Sequence, residues 1–523
     1  MLAASVKQLV ERLDPGSFTE FIEALVMAEA ARLGVAPTDV VVSDAIFEGD
    51  EGLDAYLRNV PASEAGEPKS PIPTGEVGLQ LKAGRGKSPS SFGLADELTK
   101  PGPMRVLSGG GTYILVTSQD LNYPQRLNLE EELKSQAVSA LAAGGHSDIE
   151  PATAVWDGTV IAALCQIHPG PAVDIGLEDF GHALSLAELL ALLRADERPY
   201  RSDDDRDEAI TRLRERAVGA TEDAYLMSIS GDAGVGKTRT VAHALDTDEL
   251  RQTVLYTNGP DGLQALVTRL VRNATSTGIL FADEIDPHSA ADAWKRLSSL
   301  GGRWRIVWIS SWADRRTVAD GPRNIVLPPL SAEATRDLVE EHSGLNESLS
   351  RTVADVAAGF PELALRLADE LAADPDLDLV RLARQPHPQE VLNRALQEEE
   401  VRRHLAPLAL FVGVGFEGEL RYELEAVAEA FDLDADTIEH FCNAELDKRR
   451  FVSRAGRYWA VSPLLVAIWL ATDLIEATPR FEDRIFTLPE PLQDAFVKQL
   501  EYMGPDAAHL PAALARVMDH DRF

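Results

Sequence analysis

The sequence predicts a multidomain α/β protein, and three observations carry that prediction. After residue 207, apolar strand-like runs at 225–230, 253–257, 278–283, 305–310 and 324–327 alternate with helical stretches. That rhythm implies a parallel sheet covered by helices. A charged stretch, RADERPYRSDDDRDE at 194–208, parts this region from roughly 190 residues of mixed pattern before it. From about 331 onward the periodicity is helical, apart from one hairpin at 451–463. At roughly 100–200 residues per domain, 523 residues make about three or four domains.

Composition bounds the function. Acidic residues number 85 and basic residues 50, for a net charge of −35. A field of that sign opposes general adhesion to nucleic acid, so contact with DNA requires a local basic patch or a bridging metal. No apolar run reaches the ~20 residues of a membrane span, and the start, MLAASVKQLVERLD, is amphipathic and lacks a signal peptide's long apolar stretch. Cys165 and Cys442 are the only cysteines, which excludes a disulfide scaffold and a Cys-rich zinc site and suits a reducing cytosol. The expected location is cytoplasmic, with no membrane partner.

The N-terminal region, 1–195, begins with a helix at 17–33 carrying Phe18, Phe21, Ile22, Leu25 and Ala28. Strands are expected at 39–43, 76–82 and 112–117, a helix at 129–143, and a strand at 153–156. Residues 61–75 and 83–103, the latter holding seven glycines or prolines, read as loops. Asp54 follows Gly52 by two residues, and the alternating strand GEVGLQLKAG at 75–84 carries Gln80 and Lys82. Period two puts both on one face, together with Glu76 as an alternative acid. A metal nuclease needs a carboxylate for Mg²⁺, a second oxygen ligand, and a lysine to steady the attacking water or the developing charge. Asp54, Gln80 and Lys82 match those roles, with Asp54 and Gln80 as metal ligands. The pattern resembles the PD-(D/E)xK restriction-endonuclease-like fold, in the variant with Gln before the lysine. Glu20, in the first helix, is a candidate to complete the site. His168, before Pro169, reads as structural.

The strongest motif is YLMSISGDAGVGKTRTVAHAL. Gly231 is followed by four residues and then Gly236-Lys237-Thr238, with an apolar strand before and an amphipathic helix after. Phosphates demand many donors at close range. Gly231, Gly234 and Gly236 let backbone N–H groups turn inward, and the helix N-terminus adds its dipole. Lys237 reaches the outer phosphates of ATP, and the Thr238 hydroxyl ligates Mg²⁺. GILFADEID at 278–286 ends an apolar strand in Asp283-Glu284, 45 residues after Thr238. Asp283 is placed to hold the Mg²⁺ shell and Glu284 to polarise an attacking water. The strand at 305–310 ends in Ser310-Ser311, where a polar group can sense the γ-phosphate, with Arg315 and Arg316 just beyond.

In order, GDAGVGKT, ILFADE, a strand ending in serines and GFPELALRLADEL at 359–371 resemble the STAND class of P-loop ATPases, with AAA+ ATPases as near relatives. The resemblance covers 207–475. It implies a P-loop NTPase core at 207–330, a helical lid at 331–390 in which Pro361 packs on adenine, and a winged helix at 391–475. Residues 476–523 would be a helical tail or the start of a sensor region. Arg366 is a candidate second sensor. Many family members carry an Arg after the fourth strand and a His that touches ADP. Here those places read Ser310-Ser311 and Val461-Ser462-Pro463, so the resemblance does not extend to a histidine lock.

The expected function is therefore an ATP-dependent switch controlling an N-terminal Mg²⁺-dependent nuclease that cuts duplex DNA, in prokaryotic antiphage defence. ATP and ADP are its ligands, a homo-oligomer is expected on activation, and a phage protein is one candidate trigger. The alternative is a nucleotide-regulated DNA-binding or regulatory ATPase with an inactive N-terminal domain. In that case the five basic residues of KRRFVSRAGR at 448–457 would read DNA. The same segment equally suits docking on the acidic remainder of the chain.

Overall fold

The computed structural model describes residues 2–42, 51–62, 68–83, 92–177, 180–181, 183–195, 199–218, 225–231, 234–273, 275–301, 303–309, 324–357, 359–373, 399–447, 451–461 and 464–503. Two larger sheets and one small one organise it. The first is five-stranded, in the order β1 (Val40–Val42), β2 (Ala55–Val60), β3 (Gly75–Lys82), β4 (Thr112–Thr117), β5 (Ala152–Trp156). β1 to β3 form an antiparallel meander, and β3, β4 and β5 run parallel.

Alternation along β3 and β4 sorts this sheet into two faces. Val77, Leu79, Ile114 and Val116 join the core beneath α1 (Leu2–Val10) and α2 (Pro15–Arg32). Asp14 starts α2 by accepting the N–H groups of Gly16 and Ser17, with Pro15 in the first turn. Tyr113, Leu115 and Val155 face the other way, against α3 (Leu94–Leu98), α4 (Pro101–Ser108) and α5 (Tyr123–Ala143). A capping box of Asn122 and Gln125 opens α5.

Two N-terminal expectations need correction. β2 did not stand out in the sequence: its apolar run is short, and it forms by pairing with β3. Within the stretch at 83–103 expected as loop, residues 94–98 and 101–103 are helix. Gly93 adopts a left-handed conformation as the N-cap of α3, and Pro101 occupies the first turn of α4. Gly and Pro mark helix starts here, where they read as chain breaks in sequence.

The second sheet has six strands in the order β11-β7-β10-β9-β8-β6. In chain order these are β6 (Leu184–Ser185), β7 (Tyr225–Ser230), β8 (Val254–Asn258), β9 (Gly278–Asp283), β10 (Trp304–Ile309) and β11 (Asn324–Val326). All pair parallel except β6, which runs antiparallel to β8. β7 to β11 form at the expected places, whereas β6 was not expected. The expected boundary at 195 does not separate the two sheets, because β6 precedes it and pairs into the second.

α6 (Gly158–Ile167) and α7 (Pro169–Asp174) bridge the two regions. Ile167 and Gln166 carbonyls accept Thr277 N–H (2.9 Å) and the Asn273 amide (2.7 Å). Ile161 and Ala172 share one apolar core with Leu255, Leu280 and Trp304 of the second sheet. Full burial of an Ile or Leu side chain such as Ile161, Leu255 or Leu280 contributes roughly 1.5–3 kcal/mol, so the halves are packed together rather than merely tethered. His168 at this junction is buried, and its Nε2 lies 2.6 Å from Glu29. Burial raises the Glu29 pKa, but hydrogen bonds from Arg32 and His168 outweigh it and hold the group at about 2.

The second sheet is followed and flanked by α8 (Leu186–Ala195), α9 (Asp204–Val218), α10 (Lys237–Leu245), α11 (Gly259–Arg272) and α12 (Pro287–Ser298). Then come α13 (Ala332–Ser343), α14 (Glu347–Ala357) and α15 (Pro361–Ala373), and further helices at Glu399–Ala409, Arg421–Ala430 and Ala435–Asp447. The third sheet is antiparallel, in the order β12 (Val414–Gly415), β14 (Tyr458–Val461), β13 (Val452–Ala455). Phe416 stacks on Trp459 beside it, with ring centroids 4.0 Å apart. Helices at Leu464–Ala477, Phe481–Thr487 and Glu490–Met503 complete the description. Among the described residues no helix is long and apolar enough to cross a membrane.

Candidate functional site

β7 leads into Gly231, and α10 begins at Lys237. Gly231 has φ +154°, and a Cβ there would lie 2.5 Å from the Leu327 carbonyl oxygen on the neighbouring chain segment. Only glycine fits that approach. Gly236 is the left-handed N-cap of α10 (φ +91°), and Gly234 also has positive φ. The Lys237 ammonium donates to the Gly231 carbonyl at 3.0 Å, folding back along the loop.

β9 delivers Asp283 to the same sheet edge. The Thr238 hydroxyl donates to Asp283 Oδ2 at 2.6 Å, and the other carboxylate oxygen accepts Glu284 N–H at 2.9 Å. Asp283 is only 7% exposed. Burial raises its pKa, while Thr238, Lys237 and Tyr256 pull it down in part. Burial first, then the charge of Asp283, push Glu284 up to about 7. Glu284 also holds φ +55°, uncommon for a residue with a side chain. Tyr256 and Asn258 on β8 hydrogen-bond to Asp283 and Glu284. Sequence reading missed both, since a polar residue at a strand end carries no motif.

Thr238 and Asp283 offer a hydroxyl and a carboxylate, hard oxygens of the kind Mg²⁺ takes. Ser310, Ser311, Arg315 and Arg316 lie outside the described residues. Pro361 opens α15, two residues after Gly359. Gly359 has φ +82°, and a Cβ there would meet the Leu330 carbonyl oxygen at 2.3 Å. Its own carbonyl accepts Leu330 N–H at 2.7 Å. The glycine of Gly-Phe-Pro thus binds α15 to the segment that leads into α13. Arg366 pairs with Glu362 and stands over the Phe451 ring at 5.3 Å. It therefore contacts β13's flank.

The turn between β13 and β14 approaches the same edge. A Cβ on Gly456 would sit 3.4 Å from Asp286 Oδ2, and the Arg454 charge lowers the Glu284 pKa slightly against the larger upward effects. Arg454 also pairs with Glu417 at 2.8 Å and lies over the Phe416 ring. Lys448, Arg449 and Arg450 fall outside the described residues.

In the N-terminal sheet, Asp54, Gln80 and Lys82 come together. Asp54 Oδ2 accepts Leu81 N–H at 2.6 Å across the β2–β3 pair. Gln80 accepts the Tyr113 hydroxyl and donates to Glu97 at 2.7 Å. Glu97 on α3 also takes Lys82 (2.7 Å) and Lys100 (2.6 Å). Burial raises the Glu97 pKa, but hydrogen bonds from Lys100, Lys82 and Gln80 hold it at about 2. Burial, then the charges of Glu97 and Asp54, raise Tyr113 above its ordinary range. Glu97 and Tyr113 went unread because their segments looked like loop and plain core strand. Glu20 does not join the cluster: it is exposed on α2, which packs on the opposite face. Glu76 shares the face of Gln80 and Lys82 but is exposed near Gly109, at the other end of β3. Among the described residues no three His, Cys, Asp or Glu side chains converge as a metal cage.

No protein-family model and no curated protein matches the chain. The chain is similar to several solved structures. A Holliday junction branch migration motor, RuvB of Thermotoga maritima, is 18% identical over 50% of this chain and 92% of its own, with a TM-score of 0.29. A STAND protein with a tetratricopeptide repeat sensor from Pyrococcus horikoshii is 12% identical over 61% of this chain and 54% of its own, with a TM-score of 0.27. A Walker-type ATPase of Pyrococcus abyssi is 11% identical over 52% of this chain and 98% of its own, with a TM-score of 0.28.

Proposed function

We infer that the chain is a nucleotide-driven switch that binds ATP with Mg²⁺ at the edge formed by β7 and β9 and hydrolyses it there. The observation that carries this reading is the 2.6 Å bond from Thr238, in the first turn of α10, to Asp283 at the end of β9, with Glu284 alongside. Gly231, Gly234 and Gly236 would bend the loop around the phosphates. Lys237 would leave the Gly231 carbonyl for the outer phosphates, and Thr238 with Asp283 would hold Mg²⁺, which supplies charge neutralisation when bound. Glu284 would take the proton of the attacking water. Pro361 would face the base, and Ser310 would sense the γ-phosphate. Lys237→Ala should abolish ATP and ADP binding in a calorimetric titration, and a variant that binds like the parent would refute the assignment.

The output of the switch, in this reading, is the Asp54–Gln80–Lys82 cluster acting as a Mg²⁺-dependent nuclease on duplex DNA in antiphage defence. Asp54 and Gln80 would hold the metal and Lys82 would steady the reacting water. Support comes from the placement of Asp54 directly before β2 and of Gln80 and Lys82 on the adjoining β3. Triggering, by a phage protein or another signal, would associate protomers and bring these sites together. Mg²⁺-dependent plasmid cleavage should disappear in Asp54→Ala and Lys82→Ala. Equal cleavage by both variants and the parent would remove the nuclease from the reading and leave the ATPase intact.

A further inference from the structure

Arg206 is buried, with 1% of its surface exposed, although it carries a permanent charge. Burying a guanidinium is costly unless its donors are matched. Its Nη2 donates to the Val235 carbonyl at 2.7 Å, and its Nη1 reaches both oxygens of Asp203 at 3.3 and 3.2 Å. Asp203 Oδ2 in turn accepts the backbone N–H of Ser331 at 2.8 Å. Ser331 is the N-cap of α13. Four groups therefore run in line, from the phosphate loop through α9's first turn to the start of the helices at 332–373.

The Val235 carbonyl belongs to the peptide whose N–H is that of Gly236. A trans peptide points its C=O and N–H in opposite directions. With the carbonyl fixed on Arg206, the Gly236 N–H must face away from α9. Gly236 can rotate at little steric cost, having positive φ and no Cβ, so its peptide needs an external hold.

We propose that Arg206 is a positioning residue for nucleotide binding: it sets the Val235–Gly236 peptide, and through Asp203 it couples that peptide to the N-terminus of α13. This rests on the ATP reading above. The relay gives helical-segment movement a direct mechanical route to the loop. If α13 shifts, the Ser331 N–H leaves Asp203, Asp203 and Arg206 readjust, and the Gly236 N–H loses its aim.

The test is titration of the full chain with ATP and with ADP, alongside thermal melts to confirm folding. Arg206→Lys keeps the charge but cannot bridge both partners, and it should weaken nucleotide binding ~10-fold. Ser331 is exposed and has φ −58° and ψ 152°, a conformation proline accepts. Ser331→Pro removes the N–H together with the hydroxyl cap, whereas Ser331→Ala removes the cap alone. The difference between them isolates the Asp203 contact, and Ser331→Pro should bind less tightly than Ser331→Ala. In the double variant of Arg206→Lys with Ser331→Pro, the losses should fall short of multiplying, because both cut one relay. Folded variants that bind like the parent, equal binding by the two Ser331 variants, or losses that simply multiply would overturn the relay. A parent that binds neither nucleotide overturns the ATP reading, and the relay with it.

Discussion

Two lysine–carboxylate clusters sit in this chain, and they are balanced in opposite ways. In the N-terminal cluster, Lys82 and Lys100 both pair directly with Glu97, whose pKa falls to about 2. At the phosphate loop, Lys237 points to a backbone carbonyl instead, and Glu284 rises to about 7. The first cluster is compensated from within. The second sets buried Asp283 beside half-buried Glu284; burial raises both pKa values, and the charge of Asp283 raises Glu284 further. Raised carboxylates of this kind suit the proposed binding of a cation and a polyanion. The contrast also means that the N-terminal lysine must be drawn from Glu97 before it can serve chemistry.

The largest expected effect tests the uncompensated side of that contrast. Glu284→Gln should keep ATP binding and slow hydrolysis ~10²–10⁴-fold. In the parent, a base with a pKa raised to about 7 is protonated below that value, so turnover should climb as pH rises through 7 and then level off. The glutamine variant should lose that rise. A pH–rate curve identical in shape for both would show that Glu284 is not the titrating base.

Next comes the compensated cluster. Glu97 is depressed from an ordinary 4.5 to about 2, so its stabilising contribution is present above 4.5 and fades as pH falls toward 2. Glu97→Gln should melt below the parent at neutral pH, and the two melting curves should converge under acid. A constant offset at every pH would place the cost of the substitution in packing rather than in the ion pairs.

The smallest effect links the third sheet to the edge that carries Glu284. Arg454 lowers the Glu284 pKa, so Arg454→Ala should move the midpoint of the hydrolysis profile upward by a fraction of a unit. An unmoved midpoint would mean that the β13–β14 turn does not reach Glu284 in solution.

The phosphate loop and the acidic strand were legible because their signals are local. Gly231 to Thr238 form a continuous run, and Asp283 ends its own apolar strand. Thr238 and Asp283 meet although β10 lies between β7 and β9, so their pairing was set by the sheet order rather than by any local signal. Glu97 was not legible in the same way. It lies between Gly93 and Pro101, residues that break chains as readily as they start helices. Asp203 and Arg206 were hidden inside a charge run, where nothing in the spacing separates a solvated acid from one that holds a buried guanidinium.

The sequence by itself determined most of the strands, most of the helices and the glycine-rich loop motif, because backbone propensity and apolar periodicity act over a few neighbouring residues. Tertiary structure alone decided which charges meet: Lys82 with Glu97, Arg206 with the Val235 carbonyl, β6 with β8. Those partners come from elements far apart along the chain, and they are chosen by the desolvation of groups that burial forces to find one another.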